Sequence, residues 1–503
     1  MRVPFLCMIV AAAVIAVPVA SPRPAEAANN GTNVLFIMAD DLNDWVTHLK
    51  GEAGGGPPAT TPAFTPNIDA LAASGVTFTR AYAAAPVCNP SRSALLGGRR
   101  PGFTGIYDNF HDWKSAFRAR NIVPLTKHFK ANGYNVMGIG KIYHPTASSV
   151  AAYSNAQLFT SYTAGSGGGG GAFNLSGLDL RTFDYGTPAN ANTNSETLDY
   201  NIATTAITKI NQQHAQPFFI AVGFSKPHVP WYVPASYFNA FTLNNNLRPP
   251  TMSNDLGDVA PPGDVMAHQF GFHNPSPVDV HQQINTPTNN RWNAAVRGYL
   301  ASVKFVDGQV GRVLAALNAS PHRNNTIVVF MGDHGFHLGE KEHWNKSALW
   351  ERTIRTPLIF RGPGIAVGRR SARPVDLMAI YPTLTQLTGV PAPASGFDNV
   401  SIRALLQNPS GAAPRPFALS THWNGVDGAG GRAVHSARNA RYRYIRYADG
   451  TEELYDHQSD PNEFTNRASN PAYAAAKTTM RGFLPAGATN NRLPFACFPA
   501  NCP

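Results

Sequence analysis

Residues 33 to 41 read Asn-Val-Leu-Phe-Ile-Met-Ala-Asp-Asp. Asn33 to Ala39 is an unbroken apolar run closed by two acids. Alternation is absent, so both faces of the segment must be covered, as in a strand at the centre of a parallel sheet. Working outward, Pro66 to Ser74 predicts a helix with Ile68, Leu71 and Ala72 on one face and Gly75 as its stop. Val76 to Tyr82 predicts a strand. Pro124 to Asn132 predicts a helix ended by Gly133, and Tyr134 to Ile139 the next strand. A helix over Ser195 to Gln213 precedes the buried strand Pro217 to Gly223. Trp292, Val296, Leu300, Val303, Val310 and Leu314 follow helical spacing. Thr326 to Met331 and Pro357 to Phe360 are further strands, and Val375 to Leu387 reads as a helix. The repeated β–α order implies an α/β fold with a mostly parallel sheet between helices. Beyond Leu405 the texture changes. Pro414 to Leu419, Gly431 to Ser436 and Tyr442 to Tyr447 predict short antiparallel strands, with a helix over Pro471 to Phe483, hence a small C-terminal α+β domain.

The chain has 503 residues, 43% hydrophobic and 14% charged, which is enough to bury a large core. The formal net charge is +11 and the isoelectric point near 9.5. Lys and Arg are scattered, with no polybasic run, which argues against nucleic acid as partner. Arg2, the apolar stretch 4 to 20 and Ala25-Glu26-Ala27 form an export signal cleaved before Ala28. Pro4 and Pro18 interrupt that short stretch, and no later segment is apolar and long enough to span a bilayer. The expectation is a secreted or periplasmic protein without stable membrane insertion. The boundaries read 1–27 for the signal, 28–410 for a catalytic domain and 411–503 for the C-terminal subdomain. Cys7 leaves with the signal, and Cys497 and Cys502 lie close enough in sequence to pair. Cys88 is then a lone thiol in an exported chain. Gly165 to Gly171 reads as a glycine-rich surface loop. Asn244 to Asn290 reads as a long loop on the substrate rim, with His268, His273 and His281 as surface residues.

In a sheet of this kind, sites form beyond the carboxyl ends of strands. Asp40-Asp41, Lys141 with His144, Ser225 to His228, and Asp333-His334 all fall at such ends. Singly, each is the composition of a turn or a cap. Together they bring acids, cations and imidazoles to one edge. Asp40, Asp41, Asp333 and His334 form an oxygen-rich set suited to calcium or magnesium, the imidazole leaving zinc or manganese open. Lys141 and Lys346 are placed to grip an oxyanion, and His144 and His228 to move protons.

The segment Cys88-Asn89-Pro90-Ser91-Arg92, with Leu95-Leu96-Gly97-Gly98-Arg99 after it, resembles the signature of the type I sulfatases. Gly97 departs from that family, which usually has Thr or Ser there. Asn33 to Asp44, Gly140 to Pro145, Lys226 to Pro230, and Gly332 to Glu340 with Lys346 resemble the iduronate-2-sulfatase branch in order and spacing. His334, where many arylsulfatases carry Asn, fits that branch. Glu453 to Asp456 and Ser459 to Pro461 resemble the family's C-terminal domain, so the likeness runs over about residues 32 to 465.

That resemblance implies an alkaline-phosphatase-like fold: a large mixed, mainly parallel sheet flanked by helices, plus a small C-terminal sheet. It implies that a maturation enzyme oxidises Cys88 to formylglycine. It implies one calcium ion on Asp40, Asp41, Asp333 and His334, with residue 88 beside it. Arg92 stabilises the hydrated aldehyde, and Lys141 and Lys346 clamp sulfate oxygens. His228 protonates the leaving alcohol, and His144 takes the proton that lets sulfate go. The implied function is release of inorganic sulfate from a sulfated sugar or polysaccharide. A phosphonate or phosphate monoester hydrolase on the same fold, and an inactive sulfated-glycan-binding protein, are the alternatives. Before Pro90 the backbone at Asn89 is expected to be extended, so that the helix begins at Pro90.

Overall fold

The computed structural model describes residues 29–485 except 53, 147–149, 166–174, 177–182, 189–196, 244–246, 269–278, 286–290 and 425–431. Residues 1–28, most of the glycine-rich loop, His273, Cys497 and Cys502 therefore lie outside the described residues. The strands are β1 (Asn33–Asp40), β2 (Val76–Tyr82), β3 (Asn135–Gly140), β4 (Ser161–Thr163), β5 (Tyr185–Gly186), β6 (Phe218–Pro227), β7 (Trp231–Tyr232) and β8 (Thr326–Gly332). There follow β9 (Arg355–Arg361), β10 (Arg369–Ser371), β11 (Val375–Asp376), β12 (Ala418–Asn424), β13 (Arg432–Arg438), β14 (Tyr442–Arg446) and β15 (Glu452–Asp456).

The main sheet has the order β10-β2-β9-β8-β1-β6-β3-β4, with β11 continuing along β2. β1 lies at its centre, parallel to β6 on one side and β8 on the other. β9 alone runs against its neighbours β2 and β8, which makes the sheet mixed. The absence of alternation in β1 is explained by its two faces. Leu35, Ile37 and Ala39 enter one core with the helix Arg291–Ala319. Val34, Phe36 and Met38 enter the other with residues of the helices Cys88–Gly97, Leu125–Ala131 and Ile380–Thr388. Both layers are required because every β1 side chain is buried.

The segment read as one helix over Val375 to Leu387 begins differently. Val375 and Asp376 pair with Ala81 and Tyr82 of β2, a 3-10 turn follows, and the helix spans Ile380–Thr388. Pro382 explains the late start, since proline is tolerated only in a helix's first turn, where its missing N–H has no partner to lose. The stretch 244–290 is less of a loop than its composition suggests. It contains the helices Pro261–Ala267 and Val280–Ile284 and docks on the C-terminal sheet, Ala260 N donating to Glu453 Oε1 at 3.1 Å. His281 is buried, not superficial. Asp279 caps its helix through the N–H groups of His281 and Gln282, turning the ring inward onto Trp292 and the Trp344 indole N–H. His268 is partly exposed and pairs with Asp279 and Asp264.

β12 to β15 form the antiparallel C-terminal sheet, in which β15 joins the three strands read from sequence. It is joined to the main sheet through Glu351, just before β9. That carboxylate accepts from Tyr82 Oη at 2.9 Å and Arg438 Nε at 3.1 Å, and also from Arg443. Arg443 Nε donates to Glu463 as well, at 2.6 Å. Burial alone would raise the Glu351 pKa, but Arg438, His457 and Arg443 outweigh it and hold it well below the ordinary value. Removing the carboxylate takes from the buried Arg438 guanidinium its carboxylate partner and leaves buried Arg443 with Glu463 alone. Glu351→Ala is therefore expected to lower unfolding free energy by about 3–5 kcal/mol, read from denaturant titration. Because the folded pKa is depressed, the contribution is fully present above the unfolded value. It is lost as pH falls towards the folded one, so the gap between wild type and variant should narrow in acid.

Candidate active site

Four strand ends and one helix N-terminus converge. Asp40 ends β1, and Asp41 follows with φ +61°, a left-handed conformation that Asp tolerates better than most residues. The turn is fixed from both sides of the peptide. Asp41 N donates to Asp333 Oδ1 at 2.9 Å, while Tyr299 Oη donates to Asp41 O at 3.0 Å. Asp333 follows β8, and its Oδ1 also accepts from His334 N at 3.0 Å. His334 Nδ1 donates to Gly335 O at 2.9 Å, which leaves Nε2 aimed at Asp41 Oδ1 and Cys88 Sγ, each 3.3 Å away.

Cys88 opens the ten-residue helix Cys88–Gly97 and is fully buried. The helix thus starts two residues before Pro90, and Asn89 lies in its first turn. Proline's bias against a helical predecessor is overcome because Asn89 is tied down outside the helix, its amide N–H₂ donating to Asp108 O and His111 O at 2.9 and 2.8 Å. Gly97 has a packing reason. A Cβ there would stand 2.6 Å from Phe117 Cζ.

Arg92 is fully buried one turn into the same helix. Its Nε donates to Asp333 Oδ2 at 2.8 Å and its Nη2 to Asp40 Oδ1 at 3.1 Å. Its Nη1 donates to the carbonyls of Lys141 and Ile142 at 2.5 and 3.2 Å. The guanidinium is thus committed to orienting two carboxylates and a strand end. Lys141 Nζ donates to Asp40 Oδ2 at 2.5 Å. Lys346 Nζ donates to Asp41 Oδ1 at 2.7 Å and lies 3.2 Å from Cys88 Sγ. Burial pushes Asp40 up, but Lys141 and Arg92 hold it well below the ordinary carboxylate value. Burial also opposes charge on His334, yet Asp333 and Cys88 raise its pKa to about 9.

The two remaining imidazoles border this cluster. His228 Nδ1 donates to Val229 O at 2.5 Å, and its Nε2 stands 4.0 Å from Asp41 Oδ2. Burial pushes His228 down to about 4, and His144 down to about 3 with help from Lys141. Both rings are therefore neutral near pH 7 in the absence of an anion.

All ten residues singled out from sequence (Asp40, Asp41, Cys88, Arg92, Lys141, His144, His228, Asp333, His334 and Lys346) belong to this arrangement. Donor atoms of Asp40, Asp41, Cys88 and His228, and of Asp40, Cys88, Asp333 and His334, lie within 4.8 Å of one another. Asp41 Oδ2 is buried without a hydrogen-bond partner among the described residues. A buried, unpaired carboxylate oxygen among other carboxylates fits a divalent cation. Glu351, His457 and Glu463 also cluster, but the Arg443 and Arg438 guanidiniums already balance them.

Supporting residues escaped the sequence reading. Tyr299 lies on the same helical repeat as Val296 and Val303, yet nothing in the pattern marks its hydroxyl. Asp199 accepts the N–H groups of Ser225 and Lys226, each at 2.8 Å, and so fixes the approach to His228. An Asp in a helix's first turn reads only as a terminus signal. Trp113, whose Nε1 donates to His144 O at 2.9 Å, carried no signal beyond hydrophobicity.

Comparison with known proteins supplies the family context. The sequence model described as Sulfatase matches residues 32–390, and that described as N-sulphoglucosamine sulphohydrolase, C-terminal, matches 339–487. A sulfatase of Formosa agariphila is 37% identical over 475 residues, covering 90% of this chain and 86% of that protein. Iduronate 2-sulfatase of Homo sapiens is 29% identical, covering 75% and 73%. A phosphonate monoester hydrolase from Silicibacter pomeroyi shares the fold with a TM-score of 0.72 at 22% identity, over 90% of this chain and 94% of that one.

If the acidic cluster binds a divalent cation, saturating metal stabilises the folded protein. At a concentration one hundred-fold above Kd the expected gain is about 2.7 kcal/mol, seen as a rise in Tm. Asp41→Asn should lose most of that rise, read as the difference in Tm between the same variant with and without metal.

Proposed function

This chain belongs to the sulfatase family and is a sulfuric ester hydrolase, and from that premise we propose that it uses formylglycine at position 88 and one calcium ion to release sulfate from a sulfated sugar. The observation that carries this reading is the setting of Cys88. Its side chain begins a helix, where backbone N–H groups favour an anion, and stands 3.2 Å from an ammonium and 3.3 Å from an imidazole. A thiolate attacking a sulfate ester there leaves no internal route for release. A hydrated aldehyde on the same carbon supplies one hydroxyl to attack sulfur and a second whose deprotonation expels sulfate.

Calcium suits a donor set of three carboxylates and one imidazole and supplies positive charge beside the sulfate. The chain's own charges support this. Asp40, Asp41 and Asp333 are matched by Arg92, Lys141 and Lys346. A dication then leaves a positive excess for an anionic ester. Lys346 and Lys141 hold sulfate oxygens. Arg92, enclosed by Asp40 and Asp333, orients the ligand carboxylates. His228 gives a proton to the leaving alcohol. The incoming negative charge raises its affinity for that proton, opposing the effect of burial. His144 takes the proton that lets sulfate depart.

The sugar assignment draws on the likeness to iduronate 2-sulfatase and on the basic net charge, which suits a polyanion. Export to the periplasm or the medium rests on the N-terminal apolar segment. A second reading, phosphonate or phosphate monoester hydrolysis, draws only on the fold shared with the Silicibacter pomeroyi enzyme. Rates on matched aryl sulfate and aryl phosphonate esters separate the two. Desulfation of a panel of sulfated glycans identifies the alcohol.

In active protein, the tryptic peptide containing residue 88 is expected to show the mass of an aldehyde in place of a thiol, and to react with carbonyl reagents. Protein produced without a maturation enzyme should keep the thiol and be nearly inactive. Full activity from unmodified Cys88 would overturn the mechanism. His228→Ala is expected to cost about 10² or more in kcat on esters with poor leaving groups. Activated aryl sulfates should lose much less, since their alcohols leave without a proton. Equal losses on both would assign His228 to binding.

A further inference from the structure

The turn that carries His144 is held from three directions. At its start, Arg92 Nη1 donates to the carbonyls of Lys141 and Ile142. In its middle, Trp113 Nε1 donates to His144 O at 2.9 Å, and the Trp113 indole stacks on the Tyr143 ring at 4.6 Å and 16°. At its end, Thr146 Oγ1 donates to Asp112 Oδ1 at 3.1 Å. The imidazole itself has no such support at Nδ1, which is buried without a hydrogen-bond partner among the described residues. Its position therefore depends on where the backbone of residues 143–146 is placed.

Asp112 and Trp113 continue a segment that is fastened, at its other end, to the residue after Cys88. Asn89 Nδ2 donates to the carbonyls of Asp108 and His111, and Asn89 N donates to Asn109 Oδ1 at 2.9 Å. Asp108 Oδ1 accepts the N–H groups of Phe110 and His111 at 2.7 and 3.0 Å, which stiffens the turn between. One short span thus touches residue 89 at one end and residues 143, 144 and 146 at the other. We infer that Asp108–Trp113 is a strut that sets the separation between residue 88 and the His144 imidazole, with Asn89 and Trp113 as positioning residues. The inference rests on the reading of His144 as the base that releases sulfate. A base acting on a hydroxyl of residue 88 must sit within hydrogen-bond reach of it, and a displacement of an ångström is costly.

Trp113→Phe tests the strut. It keeps an aromatic ring against Tyr143 and removes the N–H that holds His144 O. Amide hydrogen exchange over residues 141–146 should quicken in this variant whatever the chemical state of residue 88. With an activated aryl sulfate, kcat should fall about ten-fold and KM should fall with it, leaving kcat/KM unchanged. The loss should fall on sulfate release, so a burst of free phenol should precede the steady state and exceed that of the wild type. His144→Ala should give the same burst. Thr146→Val, which keeps the side-chain shape and loses the bond to Asp112, should move both readouts in the same direction by less. An unchanged Trp113→Phe burst beside an enlarged His144→Ala burst overturns the strut and leaves the base assignment standing. A Trp113→Phe burst that shrinks in proportion to kcat shows fewer competent molecules, a structural role only, and also overturns it. Wild-type kinetics in His144→Ala overturn the base assignment and the strut with it.

Discussion

The site is organised by one buried guanidinium. Arg92 reaches the ends of β1, β3 and β8 from the helix that Cys88 begins, through Asp40, Asp333 and two strand-end carbonyls. Its charge is out of water, so the geometry must supply compensating acceptors at every edge of the fork. Those acceptors come from segments about 50 and 240 residues away in sequence. Without the guanidinium, Asp40 and Asp333 would repel across a dry interior. Without the acids, the arginine could not be buried beneath residue 88. The strand ends and the helix start are thus mutually fixed.

Electrostatic balance around this centre decides what the site accepts. The three carboxylates and three permanent cations are matched, but unevenly in space. Lys346 faces the residue 88 side chain, while Arg92 lies behind the carboxylates. Lys141 and His228 are the more exposed side chains of the cluster, so an anionic ester would meet a cation and an imidazole first. Asp41 Oδ2, buried and without a hydrogen-bond partner among the described residues, marks the opposite need for positive charge. The neutral histidines at the border complete this division, since an imidazole kept unprotonated by burial is free to take a proton and holds one only when negative charge arrives.

Rigidity is distributed in the same manner. Glu351 holds the C-terminal sheet to the segment between Lys346 and β9 through Tyr82, Arg438 and Arg443. Asp199 and Tyr299 do the equivalent for His228 and Asp41. Asp199 and Tyr299 satisfy backbone groups at strand ends, whereas Glu351 gathers side-chain donors, so the side chains of the site are carried by backbone held in a fixed position.

Much of this was legible in the chain itself. The unalternating apolar run at Asn33 to Ala39 could only be a strand covered on both faces, because each residue in it must be buried. The acids, lysines and histidines followed strands directly, and strand ends share one edge in a parallel arrangement. The Cys88-Asn89-Pro90-Ser91-Arg92 pentapeptide marked the chemistry locally. What the sequence could not determine is which distant groups complete each hydrogen bond. β9 runs antiparallel although its composition matches its parallel neighbours, since direction depends on the connection and not on side chains. The Asn89 backbone joins the helix against the bias of Pro90, because Asp108 and His111 hold its amide from outside. Arg92 donates to the carboxylates and strand-end carbonyls, and Trp113 to the His144 carbonyl, because a buried charge or donor goes wherever tertiary packing leaves an acceptor. Local pattern settles burial and strand position, whereas the partners of buried polar groups exist only once segments far apart in sequence have met.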